Sequence, residues 1–322
     1  MKTKYFNLFA VLVLVLLFFS CGELCIGGTK CYMEPGEEIV NLNKEASLRC
    51  SEMFTGHLTE NSKLTILSSV DISFNQERII AGYKKVIASV EKLLGKDIPT
   101  RQFKLVLISF KKIPHNYKYI DSSNIEEKTT VVLLDENSKM AATDEILCSV
   151  SSLAHELVHR IGHFPSVKRN FSLAGGWFEE GVACYSEYLA GIGCKGGHAD
   201  ERESVTAFLD EKTRNYIFKS FAPGITVMKM NKEERRKYKI LSKEKIESIW
   251  QKVDKGYDAS LGAFIFLERK IGREKLWEII RALDEKHRYQ DENFYQDLAS
   301  KVGFDIRKVT QQEIEEVFAD NK

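Results

Sequence analysis

The chain has 322 residues, with 47 Lys and Arg against 46 Asp and Glu and a formal net charge of +1. That balance lacks the basic excess a nucleic-acid surface needs, so no nucleic-acid partner is expected. The length is enough for one large domain or two lobes around an intact core.

In chain order, the N-terminus carries Lys2 and Lys4, an apolar run from Leu8 to Phe19, and then Ser20-Cys21-Gly22. The run is short for a membrane span and has the shape of an export signal over residues 1–20. A small residue before a cysteine resembles a bacterial lipoprotein box, which implies a lipid anchor at Cys21 and a place in the bacterial cell envelope. Phe18 stands where such boxes usually carry leucine, and plain secretion or a retained anchor are the alternatives. Six of the seven cysteines lie beyond Cys21: Cys25, Cys31, Cys50, Cys148, Cys184 and Cys194. They can pair in any of about 15 ways, and disulfides are permitted outside the cytoplasm.

Residues 21–60 read as a tether or an irregular, Cys-containing lead-in, which could also mask a cleft as a prosegment. Phe74 to Leu94 has the period of a long amphipathic helix, and Phe103 to Phe110 and Thr129 to Leu134 read as strands. These belong to an α+β lobe expected over residues 61–199, followed by a mostly helical lobe over 200–322.

The next helix is marked by Ile146, Leu147, Val150, Leu153, Ala154, Leu157, Val158 and Ile161, with Thr143 or Asp144 as its cap and Gly162 near its end. Inside it lies His155-Glu156-Leu157-Val158-His159. Two histidines four residues apart stand one turn above each other, roughly 6 Å between Cβ atoms, so both rings can reach one metal ion. Glu156 projects beside the open coordination position, where a carboxylate can take a proton from water while zinc polarises a carbonyl.

Such an ion needs a third protein ligand. His163 is another turn along, but a helix face drifts about 40° with each four-residue step, so it points away. Pro165 occupies the place of a third histidine six residues past the motif. No cysteine belongs to a close C-x-x-C pair, so none is read as a ligand. Cys148 and Cys184 fall inside helices, where they either bridge or remain buried thiols.

Trp177-Phe178-Glu179-Glu180-Gly181 then opens a second helix, bracketed by Gly175-Gly176 before it and Gly191 and Gly193 after it. With the histidine motif, this stretch resembles the gluzincin metallopeptidases, in particular the branch of the zinc aminopeptidases and leukotriene-hydrolase-like enzymes. Their W-x-x-E-G-x-A-x-Y-x-E pattern is filled here by Trp177, Glu180, Gly181, Ala183, Tyr185 and Glu187. The resemblance implies one Zn2+ held by His155, His159 and Glu180. Glu179 stands where the family often has asparagine and remains a second candidate, and Glu187 could orient a ligand or simply be solvated. A further match runs from Tyr257 through Leu267 to Gly272, and implies that Tyr257 donates a hydrogen bond to the oxyanion.

The resemblance covers roughly residues 60–290. It implies an α+β, thermolysin-like zincin and a zinc peptidase acting on a peptide or protein. The chain has no G-x-M-E-N sequence, by which aminopeptidases hold the substrate N-terminus, so an endopeptidase fits better. An extended substrate could pair with Thr129 to Leu134. The rival readings are an inactive binding lipoprotein on this fold and a zinc hydrolase of non-peptide substrates.

Helical segments are expected near 203–220, 243–254, 258–271, 273–286, 291–302 and 310–319, one of them starting after Gly256. The basic run from Lys232 to Lys239 contains its own acids and reads as a solvated helix face. His57, His115, His198 and His287 are expected to face solvent from loops or polar helix faces.

Overall fold

A computed structural model describes residues 52–59, 62–68, 76–98, 102–110, 123–124, 129–135, 141–162, 176–191, 200–222, 243–287 and 289–319. The export and anchor reading at Cys21, His115, His163, Pro165, His198 and the basic run at 232–239 lie outside these residues.

Strands β1 (Glu52–Thr59), β2 (Ser62–Ser68), β3 (Gln102–Phe110), β4 (Ser123–Asn124) and β5 (Thr129–Asp135) form one mixed sheet in the order β1-β2-β3-β5-β4. β1 and β2 make an antiparallel hairpin, β2, β3 and β5 run parallel, and β4 is antiparallel to β5. The parallel step from β2 to β3 is made through helix α1 (Gln76–Leu94), as parallel neighbours require a long crossover. Leu64 and Ile66 of β2, Phe103, Leu105 and Leu107 of β3, and Ile79, Tyr83, Val86 and Val90 of α1 are buried in one core. Lys63 and Gln102 point to water from the other face.

The hairpin corrects the expected lead-in, because residues 52–59 are a strand. Met53, Thr55 and His57 are exposed while Gly56 and Leu58 are buried, the period of two that a strand with one wet face produces. His57 is exposed, on a strand and not in a loop. β5 is covered by β4 only at Thr129 and Thr130; from Val131 its outer edge has no strand partner among the described residues.

After the sheet the described residues are helical: α2 (Ala141–Ile161), α3 (Trp177–Ala190), α4 (Glu201–Leu209), α5 (Glu211–Ser220), α6 (Lys243–Ile271), α7 (Arg273–Lys286), α8 (Glu292–Val302) and α9 (Gln311–Ala319). The architecture is α+β, as expected. Helix α2 starts two residues before Thr143, so Thr143 and Asp144 lie in its first turn and do not cap it. The segment near 203–220 is two helices broken at Asp210. Conversely, the two segments expected at 243–254 and 258–271 are one helix, α6, running straight through Gly256.

Helix α3 is packed between α2 and α6 and also touches α1. Eleven of its fourteen residues are buried, so its sequence is apolar on nearly every side. Trp177 anchors its start: the indole Nε1 donates to Tyr295 Oη at 2.9 Å, and the ring lies edge-on to Phe178 and Phe218. Its end is turned by Gly191 at φ 63°, where an L side chain would be strained.

Candidate metal centre

Helices α2 and α3 bring His155, His159 and Glu180 together. Nε2 of His159 lies 3.0 Å from Nε2 of His155 and 3.1 Å from Oε2 of Glu180, and the third side, His155 Nε2 to Glu180 Oε2, is 3.3 Å. Among the described residues this group is the one that could hold a metal ion.

The triangle can be tested against zinc chemistry. A tetrahedral centre with bonds of about 2.0–2.1 Å places its ligand atoms about 3.3–3.4 Å apart. The observed sides approach that edge length, and the donor set of two imidazoles and one carboxylate leaves one position for water or substrate. The three residues therefore fit a zinc ion.

The outer nitrogens support the same orientation. Nδ1 of His159 lies 3.1 Å from Oε1 of Glu179, so this ring can donate outward and keep its Nε2 lone pair directed at the other two ligand atoms. Nδ1 of His155 has looser company, Glu187 Oε1 at 3.6 Å and Cys184 Sγ at 3.7 Å. Glu179 is thus placed as a partner of His159, outside the group of three. Glu187 is placed beside His155 and buried, not solvated. Cys184 is a free, buried thiol, so the bridge between Cys148 and Cys184 is not formed. The sequence reading missed that Cys184 lies against His155. It stands four residues after Glu180, one turn along the same helix face, and that spacing was the available signal.

Both acids of the pair Glu179 and Glu180 lie in the first turn of α3, where the partial positive charge of the helix end favours carboxylates. Glu180 is buried, which alone would raise its pKa. The charge of His159 and hydrogen bonds from His155 and His159 outweigh burial and bring it down to about 2. For His159, burial opposes the charged ring, yet the pull of Glu180 and Glu179 prevails and its pKa is raised well above 6.5 in the metal-free protein.

Glu156, between the two histidines in sequence, is 4% exposed. Tyr257 projects from α6 towards the same place, its ring centroid 5.8 Å from that of His155 and 5.5 Å from that of Phe221. Burial first, and then the neighbouring Glu180, Cys184 and Glu156, hold the Tyr257 phenol well above its ordinary pKa, so it stays a hydrogen-bond donor. It does so from the middle of a long helix and not from a helix start. His287 lies away from this group; its Nε2 is 2.9 Å from Asp297 Oδ2 and its ring packs on Phe294, so it is not a simple solvent-facing residue.

No protein-family model matches the sequence, and no curated protein matches it either. Among solved structures, the chain is similar to native yeast LTA4 hydrolase, with a TM-score of 0.41 and 12% identity over 82% of this chain and 39% of that one. It is also similar to an M1 zinc metallopeptidase from Deinococcus radiodurans, with a TM-score of 0.37 and 12% identity, and to the E323A mutant of that enzyme at 11% identity. Both of the latter matches cover 83% of this chain and 51% of the other, so the chain spans about two fifths to half the length of these structures.

Proposed function

We propose that the chain is a zinc-dependent peptidase of the gluzincin kind, with a thermolysin-like arrangement in which His155, His159 and Glu180 hold one Zn2+. The observation that carries this reading is the triangle of three ligand atoms with sides of 3.0 to 3.3 Å, with the buried Glu156 next to it in sequence.

Bound there, the ion supplies a Lewis acid that polarises a substrate carbonyl and acidifies water. Glu156 takes one proton from the attacking water and passes it to the departing amine, so that the acyl carbon gains a hydroxyl and the amine a hydrogen. Tyr257 donates a hydrogen bond to the carbonyl oxygen as negative charge develops on it. The lack of a G-x-M-E-N sequence favours an endopeptidase, and the outer edge of β5 beyond Thr130, which has no strand partner among the described residues, would offer a strand for an extended substrate to pair with. Export and a lipid anchor at Cys21 would place this activity in a bacterial cell envelope; that part rests on the sequence of the first 22 residues.

The test is metal analysis of the purified chain beside Glu180→Ala, Glu179→Ala and Glu156→Gln variants, with cleavage of a peptide library. The expected result is about one zinc per chain. It should be lost in Glu180→Ala, weakened by about 10–100-fold in Glu179→Ala, and kept in Glu156→Gln, which no longer cleaves. An unaltered protein that takes up no zinc even on reconstitution would overturn the reading. One that binds zinc but cleaves nothing in the library would redirect it to non-peptide substrates.

A further inference from the structure

Resting on the zinc site proposed above, we infer that Gly181 is a positioning residue: its missing side chain sets how closely α3 approaches α6, and so the separation of the ligand Glu180 from the phenol of Tyr257. Gly181 follows Glu180 in the first turns of α3 and is fully enclosed. A Cβ atom there would stand 2.6 Å from Cδ2 and Cε2 of Phe264 and 3.1 Å from the backbone carbonyl oxygen of Ser260.

Those two neighbours lie one turn apart on α6. Tyr257 precedes Ser260 by three residues, so Tyr257, Ser260 and Phe264 share one stripe of that helix. Glu180 and Gly181, adjacent on α3, therefore face the same stretch of α6: the charge of Glu180 acts on the Tyr257 phenol, and Gly181 lies against Ser260 and Phe264. The α6 side of the contact has little freedom. Ser260 and Phe264 are both fully buried and have no solvent to give way into, the Ser260 hydroxyl is tied to the carbonyl of Gly256 at 2.7 Å, and the Phe264 ring already packs on Trp177, Phe178 and Tyr185 of α3. A methyl group at 181 is accommodated by moving α3, and moving α3 displaces Glu180 from the two histidines of α2.

A second glycine separates this role from mere tight packing. Gly262 lies on α6 against α4, where a Cβ would stand 2.3 Å from the carbonyl oxygen of Ser204 and 2.7 Å from Cβ of Phe208. Crowding there strains a helix contact that carries no metal ligand.

The experiment compares the unaltered chain, Gly181→Ala, Gly262→Ala and Gly181→Ala with Phe264→Leu. It reads zinc affinity by chelator competition and the visible spectrum of the cobalt-loaded proteins, with circular dichroism as the check of folding. Gly181→Ala is expected to bind zinc about tenfold or more weakly and to show an altered cobalt spectrum. Gly262→Ala should bind as the parent does, and removal of the Phe264 ring should restore binding to the Gly181→Ala chain. If Gly181→Ala does not fold, a folded double variant with parental affinity supports the inference equally, and a folded double variant that still binds weakly overturns it. Parental affinity and spectrum in Gly181→Ala, or an equal loss in Gly262→Ala, would also overturn it. A parent that binds no zinc would instead strike at the proposed metal site itself.

Discussion

His159 is the residue on which the acid-base behaviour of the proposed metal site turns. Without metal, a charged His159 ring faces both Glu180 and Glu179, and the attraction shifts the pair in opposite directions: His159 is raised well above 6.5 and Glu180 lowered to about 2. The histidine contribution to stability of the metal-free fold is fully present below the unfolded value of about 6.5 and is lost as pH rises through the raised value. The glutamate contribution is present above its unfolded value of about 4.5 and is lost as pH falls through about 2. A metal ion needs the unprotonated ring, so below the raised pKa of His159 binding must expel one proton. Apparent zinc affinity is therefore expected to climb about tenfold per pH unit through the region below that pKa and to level off above it. Calorimetry in two buffers of different ionisation heat would measure the released proton; binding with no proton release near neutral pH would contradict the pairing.

At the scale of elements, the break between α4 and α5 is built by two side chains. Asp210, in extended backbone, accepts from the Thr213 backbone N–H at 3.0 Å and caps α5, while the Arg214 guanidinium donates to the last carbonyls of α4, Phe208 O at 2.8 Å and Leu209 O at 3.1 Å. Loss of an N-cap costs about 1 kcal/mol, so Asp210→Ala should lower the unfolding free energy from denaturant titration by about that much while zinc content stays unchanged; an unaltered unfolding free energy would show the cap to be dispensable. This break was not read in the sequence, although Asp210 to Asn215 are six polar residues in a row between the apolar stretches ending at Leu209 and starting at Tyr216. The reverse error arose at Gly256, read as a helix boundary because glycine weakens helices. A Cβ at Gly256 would lie 2.2 Å from Cε2 of Phe221, so the glycine serves a close approach from a distant segment. The β1–β2 hairpin was concealed in the same way by the glycine and cysteines before it. His155 and His159, in contrast, were legible because one turn of helix brings them together without help from the fold. Glu180 required a resemblance, since nothing local joins α2 to α3.

For the whole molecule, two ties between elements act at different places. One is a latch of α7 on the end of α1: Lys96 Nζ meets Asp284 Oδ2 at 2.5 Å, Arg281 donates to the carbonyls of Lys92 and Leu93, and Lys92 lies 5.1 Å from the Trp277 ring centroid. Asp284 is 3% exposed at its side chain, so Asp284→Ala should remove about 1.5–3 kcal/mol. The other tie is the metal, which would join α2 to α3 near the middle of the chain. A ligand that binds only the folded state stabilises it by an amount set by its concentration over its dissociation constant, about 4 kcal/mol at a thousandfold excess. Saturating zinc should thus raise the unfolding midpoint by about 5–15 °C, and Glu180→Ala should show no such rise. The latch and the ion share no partner residue, so their effects should add. Asp284→Ala should melt lower with and without zinc, and the zinc increment should stay the same in both proteins. An increment that shrank in Asp284→Ala would mean that the α1–α7 contact holds the ligand helices in register, and that the metal site depends on the packing of the whole chain and not only on α2, α3 and α6.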